Sequence, residues 1–247
     1  LNSDRTLTFL VEYDGSNFSG WQTQPRQRTV QETIEKVLGQ VLRRKTSIVG
    51  ASRTDAGVHA LGQTVHFRTN HPITCERLRI ALNGLLPRDV SVREVKKAPV
   101  SFHAKNKAKK KTYLYRIWNS KNRSPLLEKR AWHVWSSLDL SKMRKAARFL
   151  VGEHDFSAFR GTDSDTKTSV RRILKISLVR KNHLLQISIT GNGFLKYMVR
   201  NIVGTLVEVG KGRRSPEEVR EILRSRDRKK AGATAPASGL YLMKVFY

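Results

Sequence analysis

Asp55 stands in a short polar stretch, Ala51-Ser-Arg-Thr-Asp-Ala-Gly-Val-His59, two positions after Arg53 and just ahead of a segment that alternates like a strand. A carboxylate held against a cation stays ionised, the state that a nucleophile or a general base requires. An Asp near a Gly also suits an ordinary surface turn. The surrounding chain is overwhelmingly basic, however, with 48 Lys and Arg against 20 Asp and Glu. An acid placed beside Arg53 in such a chain is a candidate catalytic group more than a solubilising charge.

Two further groups of residues have types and spacing suited to chemistry. In Lys111-Thr-Tyr-Leu-Tyr-Arg-Ile117, strand alternation puts Tyr113, Tyr115 and Ile117 on one face. An aromatic row on a sheet is usually core, but this row follows Lys105, Lys107, Lys109, Lys110 and Lys111. Aromatic rings beside cations can hold an unstacked base while the cations grip its phosphates. Tyr113, nearest the basic end, is the candidate for touching a base, and Tyr115 belongs to the core. Arg200 lies at the edge of an apolar arc made by Met198, Val199, Ile202, Val203, Leu206 and Val207, where an unpaired charge would be costly. It should find a carboxylate, whether for a structural purpose or, if the partner is Asp55, to fix that acid's position and ionisation.

These groups need elements to position them. Residues 5–13 read as a strand turning at Asp14-Gly15-Ser16-Asn17 into an aromatic loop with Phe18, Trp21 and Gln22. Thr29 and Glu32 form a capping-box pattern opening a helix with the stripe Val30, Ile34, Val37, Leu38 and Val41. Strands are expected at 47–51, 62–68, 90–95 and 112–118, helices at 75–86 and 140–150, and a hairpin with arms 173–179 and 184–190. A long helix from 196 to about 209 follows. Ser215, Pro216 and Glu218 start one more helix, and 239–246 closes the chain as a strand. The strand, helix, strand rhythm indicates layered α and β structure. The expected fold is α+β: two packed α/β subdomains, 1–104 and 105–247, sharing a mostly antiparallel mixed sheet flanked by helices, with a basic central cleft.

The chain of 247 residues, 38% of them hydrophobic, is long enough to fill a real core. Its formal net charge of +28 runs along the whole length, so the partner expected is a polyanion attracted at long range and released by salt. The single cysteine, Cys75, excludes a disulfide framework within the chain and fits a reducing compartment. No apolar run approaches the roughly 20 residues that span a bilayer, and the opening Leu-Asn-Ser-Asp-Arg-Thr lacks a signal-peptide core. A cytoplasmic protein with no membrane partner is expected, although an organelle protein with its transit peptide already removed would read the same. Gly210-Lys211-Gly212 misses the phosphate-loop spacing, Gly191-Asn-Gly193 lacks the later Gly of a dinucleotide fingerprint, and the seven histidines show no ligand spacing. His59 and His66 read as packing or hydrogen-bonding residues.

Taken together and in order, Tyr13-Asp-Gly-Ser-Asn-Phe-Ser-Gly-Trp-Gln22, Ser52-Arg-Thr-Asp-Ala-Gly-Val-His59, Tyr113-Leu-Tyr115, Asp155-Phe-Ser-Ala-Phe-Arg160 and Met198-Val-Arg-Asn-Ile-Val-Gly204 resemble the tRNA pseudouridine synthase A family. The resemblance runs from about Leu7 to Tyr247. It implies isomerisation of uridine to pseudouridine at positions 38 to 40 of the tRNA anticodon stem-loop, by a homodimer, with no cofactor and no metal. It implies Asp55 as the catalytic aspartate and Arg53 as the residue that helps displace the target nucleotide. It also implies that Tyr113 stacks on the flipped uracil, that Arg200 pairs with Asp55, and that Leu240 adds an apolar wall. Ser52 stands where the family commonly has Gly, and Thr23 where a basic residue is common. Two other readings compete with it: a non-catalytic RNA-binding or RNA-folding protein using the same basic and aromatic surfaces, and a relaxed synthase acting at several RNA sites.

Overall fold

The alternation of apolar and polar residues from Arg5 to Tyr13 becomes the central strand of the first of two compact units in this computed structural model, which describes residues 5–161 and 166–247. The first four residues of the chain's opening lie outside the described residues. The first unit comprises Leu1–Lys109 and Tyr241–Tyr247, the second Lys110–Leu240.

In the first unit, β1 (Arg5–Tyr13) is followed by α1 (Val30–Leu42), the two-residue β2 (Val49–Gly50), β3 (His59–Thr69), α2 (Cys75–Leu85) and β4 (Val90–Ala98). Strand β1 pairs antiparallel with β3, Leu7 opposite Phe67 and Phe9 opposite Val65, and on its other side with β4. The chain's last strand, β10 (Leu240–Phe246), runs parallel to β3 with Tyr241 opposite His59. Leu7, Phe9, Val11, Val65 and Phe67 are buried with Ile34 and Leu38 of α1 and Leu78 and Leu82 of α2. These are the residues that the periodicity of each element places on one face.

Strand β3 starts three residues earlier than expected, because Tyr13 of β1 still pairs with Ala60. Strand β4 extends to Ala98 through Lys96 and Lys97, which the pairing with β1 holds in place despite their charge. The capping box at Thr29 does not form as expected. Thr29 sits at the N-cap, but its hydroxyl is buried and makes no capping bond. The N–H groups of Val30 and Gln31 are taken instead by the Gly20 and Trp21 carbonyls, at 3.1 and 3.0 Å. The aromatic loop thus caps α1 and is tied to it.

The second unit holds β5 (Lys110–Asn119), β6 (Trp132–Val134), α3 (Leu140–Arg148), β7 (Gly152–Asp155), β8 (Val170–Lys181), β9 (Leu184–Gly191), α4 (Met198–Gly210) and α5 (Glu218–Ser225). Strands β5, β9, β8 and β7 are antiparallel neighbours in that order, and β6 lies parallel to β5. Tyr115, Ile117, Leu185, Ile187 and Ile189 form one buried face, and Met143 of α3, Ile202 and Leu206 of α4 and Val219 of α5 are equally buried. The capping box at α5 does form, with the Glu218 carboxylate accepting from Ser215 N–H at 2.5 Å and Glu218 N–H donating to the Ser215 hydroxyl at 3.3 Å. Helix α4 starts at Met198 because Tyr197 adopts a left-handed conformation, φ 60°.

Among the described residues there are ten strands and five α-helices, an α+β protein with mostly antiparallel strand pairs. No described helix is long and apolar enough to cross a membrane.

Candidate active site

The stretch around Asp55 links β2 to β3 and is held from below by residues that surround it in the fold. Arg53 is exposed, Thr54 is buried at 7% exposure, and Asp55 is half-buried. The two charged side chains therefore flank a residue that faces the interior. Gln63 on β3, fully buried, grips the loop's start: its carbonyl oxygen accepts from Ser52 N–H at 3.2 Å and its amide donates to the Ser52 carbonyl at 2.5 Å. The Thr54 carbonyl accepts from Trp21 N–H at 3.0 Å, and Gly57 N–H donates to the Phe18 carbonyl at 3.2 Å. The Thr54 and Tyr13 hydroxyls are 2.7 Å apart in a buried hydrogen bond.

Two glycines of the aromatic loop make this closeness possible. A Cβ on Gly15 would lie 2.0 Å from the Val58 carbonyl oxygen, and one on Gly20 would lie 2.8 Å from that of Thr54, at a φ of +99° open only to glycine without strain. The segment 14–22 is thus a cradle for the Asp55 loop. His59, at 2% exposure, finishes the loop: its Nδ1 accepts from Gly15 N–H at 3.1 Å and its ring stacks on Tyr241, centroids 4.6 Å apart. The packing role expected for His59 is what the structure shows, and His66 likewise accepts from Ala104 N–H at 3.2 Å.

The second unit gathers Arg200 and the tyrosine strand around one segment of chain. Every residue of α4 is buried except Arg200 and Glu208. The Arg200 Nε donates to the Ala235 carbonyl at 2.7 Å, and Ala235 N–H donates back to the Arg200 carbonyl at 3.2 Å. The Tyr115 hydroxyl donates to the Pro236 carbonyl at 2.7 Å, and the Tyr115 ring lies where a Cβ on Gly239 would be, 2.6 Å away. Burial raises the pKa of Tyr115 strongly, against the opposing pull of the Arg200 charge, so this phenol stays neutral. Leu240, next in the chain, is buried at 6% exposure. Tyr113, also at 6%, sets its ring edge-on to Phe194 with centroids 5.1 Å apart.

Asp55 and Arg53 belong to the first unit, and Tyr113, Arg200 and Leu240 to the second. Lys109 is exposed and hydrogen-bonds through its backbone to the Phe246 carbonyl at 2.8 Å, while Lys110 and Lys111 are half-buried at the start of β5. Gln63, Tyr13 and Thr54 are not among the site residues expected from sequence. The motif around Tyr13 is visible there, but a hydroxyl pair 41 residues apart leaves no local pattern.

A family model described as tRNA pseudouridine synthase matches residues 9–106 and 146–247. The tRNA pseudouridine synthase A of Acetivibrio thermocellus is 49% identical over 243 residues, covering 98% of this chain and 100% of that protein. The chain belongs to the tRNA pseudouridine synthase A family. Enzymes of the same description from a Thermoanaerobacter species and from Geotalea uraniireducens are 45% and 44% identical, each over 98% of this chain and 100% of their own length. Membership of the tRNA pseudouridine synthase A family makes the protein an isomerase of tRNA modification, and the binding-only reading gives way to it. Asp55, Arg200 and Leu240 fall within the stretches matched by the family model; Tyr113 and Lys109, Lys110 and Lys111 fall between them.

Proposed function

We propose that the enzyme converts uridine to pseudouridine at positions 38 to 40 of the tRNA anticodon stem-loop, with Asp55 as the reacting carboxylate. The reaction breaks the C1′–N1 bond, turns the base, joins C5 to C1′, and moves the C5 proton away while N1 gains one. A lone carboxylate can act in it as the nucleophile at C1′ or as the acid/base partner of a glycal-type route, and both require an ionised group. Arg53 helps to displace the target nucleotide and fills the gap it leaves, Tyr113 stacks on the extruded uracil, Arg200 pairs with Asp55, and Leu240 closes an apolar side of the pocket. Lys109, Lys110 and Lys111 hold phosphates of the anticodon arm. The enzyme works as a homodimer, in the cytoplasm, without metal or cofactor, since no redox step or activated donor enters the balance.

The observation that carries this reading is the Asp55 loop itself: a carboxylate separated by one residue from an exposed arginine, on a backbone fixed by Gln63, Trp21 and Phe18. A fixed backbone suits a group that must meet a base taken out of its stack. Site-resolved pseudouridine mapping on unmodified tRNA transcripts tests the choice of positions. Signal confined to positions 38 to 40 supports it, and signal at scattered sites in tRNA and other RNAs establishes the relaxed synthase instead.

A further inference from the structure

We propose that Tyr13 is a positioning residue for the reaction: its hydrogen bond to the Thr54 hydroxyl turns Thr54 inward and thereby aims Asp55, the next residue, toward the substrate. The inference rests on the reading of Asp55 as the reacting carboxylate. Tyr13 is the last residue of β1, paired with Ala60 on one side and Val90 on the other, and is 3% exposed beside the Trp21 ring. It is therefore a fixed post.

The bonds from Gln63 to Ser52, from Trp21 to the Thr54 carbonyl and from Gly57 to Phe18 reach backbone atoms of the loop. They fix where the loop runs. The Tyr13–Thr54 bond, 2.7 Å between buried hydroxyls, fixes which way a side chain faces. With Thr54 held inward, Arg53 and Asp55 on either side emerge, as the sequence exposed, buried, half-buried over the three residues records. Without the Tyr13 hydroxyl, the Thr54 hydroxyl would be left buried and unsatisfied, a penalty it can relieve by rotating the loop. A misplacement of about 1 Å at a reacting group costs on the order of 100-fold in rate.

The test compares Tyr13→Phe, Thr54→Val, Thr54→Ser, the double variant Y13F/T54V and Asp55→Asn, by single-turnover rate with enzyme in excess, equilibrium tRNA binding and thermal midpoint. Tyr13→Phe and Thr54→Val should each slow the single-turnover step by about ten- to 100-fold at unchanged tRNA affinity. The double variant should lose no more than the worse single, because one shared bond is removed once. Thr54→Ser, which keeps the hydroxyl, should run close to wild type. Wild-type rates in Tyr13→Phe and Thr54→Val would overturn the proposal. So would losses that multiply in the double variant, or losses that vanish when rates are corrected for the folded fraction. Should Thr54→Val fail to fold, Tyr13→Phe decides alone. Asp55→Asn separates the two readings: full activity there removes Asp55 as the reacting group, whereas inactivity alongside wild-type Tyr13→Phe and Thr54→Val removes only the positioning role.

Discussion

Arg53 and Asp55 are separated by a single residue, Thr54, which is buried while Arg53 is exposed and Asp55 half-buried. A short motif of this kind is legible in sequence because charge, spacing and the following glycine all lie within a few residues. The residues that hold it are less so. Gln63 reaches the Ser52 backbone across 11 positions and Tyr13 reaches Thr54 across 41, and neither bond has a local signature. Because Arg53 is exposed, its side chain supports the fold little, and replacing it should change stability by no more than about 0.5 kcal/mol. Arg53→Ala is therefore expected to lose pseudouridine formation by at least about 100-fold in single-turnover assays at an unchanged thermal midpoint. A midpoint lowered by several degrees would contradict the exposed placement.

Elements are legible in sequence where apolar periodicity is strong, as in α1, α4 and β1, and poorly so where pairing alone makes the strand. Strand β7, Gly-Glu-His-Asp, has no hydrophobic alternation and exists because it pairs with β8, Asp155 opposite Val170. Strand β6 is three residues beside β5, too short for any pattern. The tight fit of the segment after α5 against α4 is equally silent in sequence. A Cβ on Gly204 would fall 1.8 Å from the Ala233 carbonyl oxygen, backbone against backbone. Gly204→Ala must push this segment off α4, and with it the carbonyl that Arg200 holds. It should destabilise the protein by about 3 kcal/mol, read as a lower urea midpoint; an unchanged midpoint would refute the close approach. On β3, burial first and the His103 charge second push the His66 pKa below its ordinary 6.5. The unfolded chain then takes up this proton at a higher pH than the folded one, so the His66 contribution is complete above pH 6.5 and is lost on acidification below it. Denaturant midpoints at pH 7.5 and 5.5 should differ less in His66→Gln than in wild type, and an equal acid loss in both would place the sensitivity elsewhere.

At the scale of the whole molecule, a formal charge of +28 provides attraction to tRNA that is nearly blind to sequence. The charge and the ordered motifs make the polyanion partner and the family legible, but the division of the chain is less so. Residues 241–247 return to the first unit, where Tyr241 pairs with His59, a long-range pairing that no local pattern announces. Removing the charges of Lys109, Lys110 and Lys111 should weaken tRNA binding and lower the slope of log affinity against log salt by up to about one for each phosphate no longer neutralised. An unchanged slope would assign the phosphates to other cations. The proposed mechanism assigns Asp55 to chemistry and not to tRNA binding, so its replacement should separate the two. The decisive measurement is single-turnover pseudouridine formation by Asp55→Asn on an unmodified tRNA transcript, with tRNA affinity measured on the same protein. With Asp55 as the reacting carboxylate, no product should be detectable at wild-type affinity. Product formed at the wild-type rate would contradict that role.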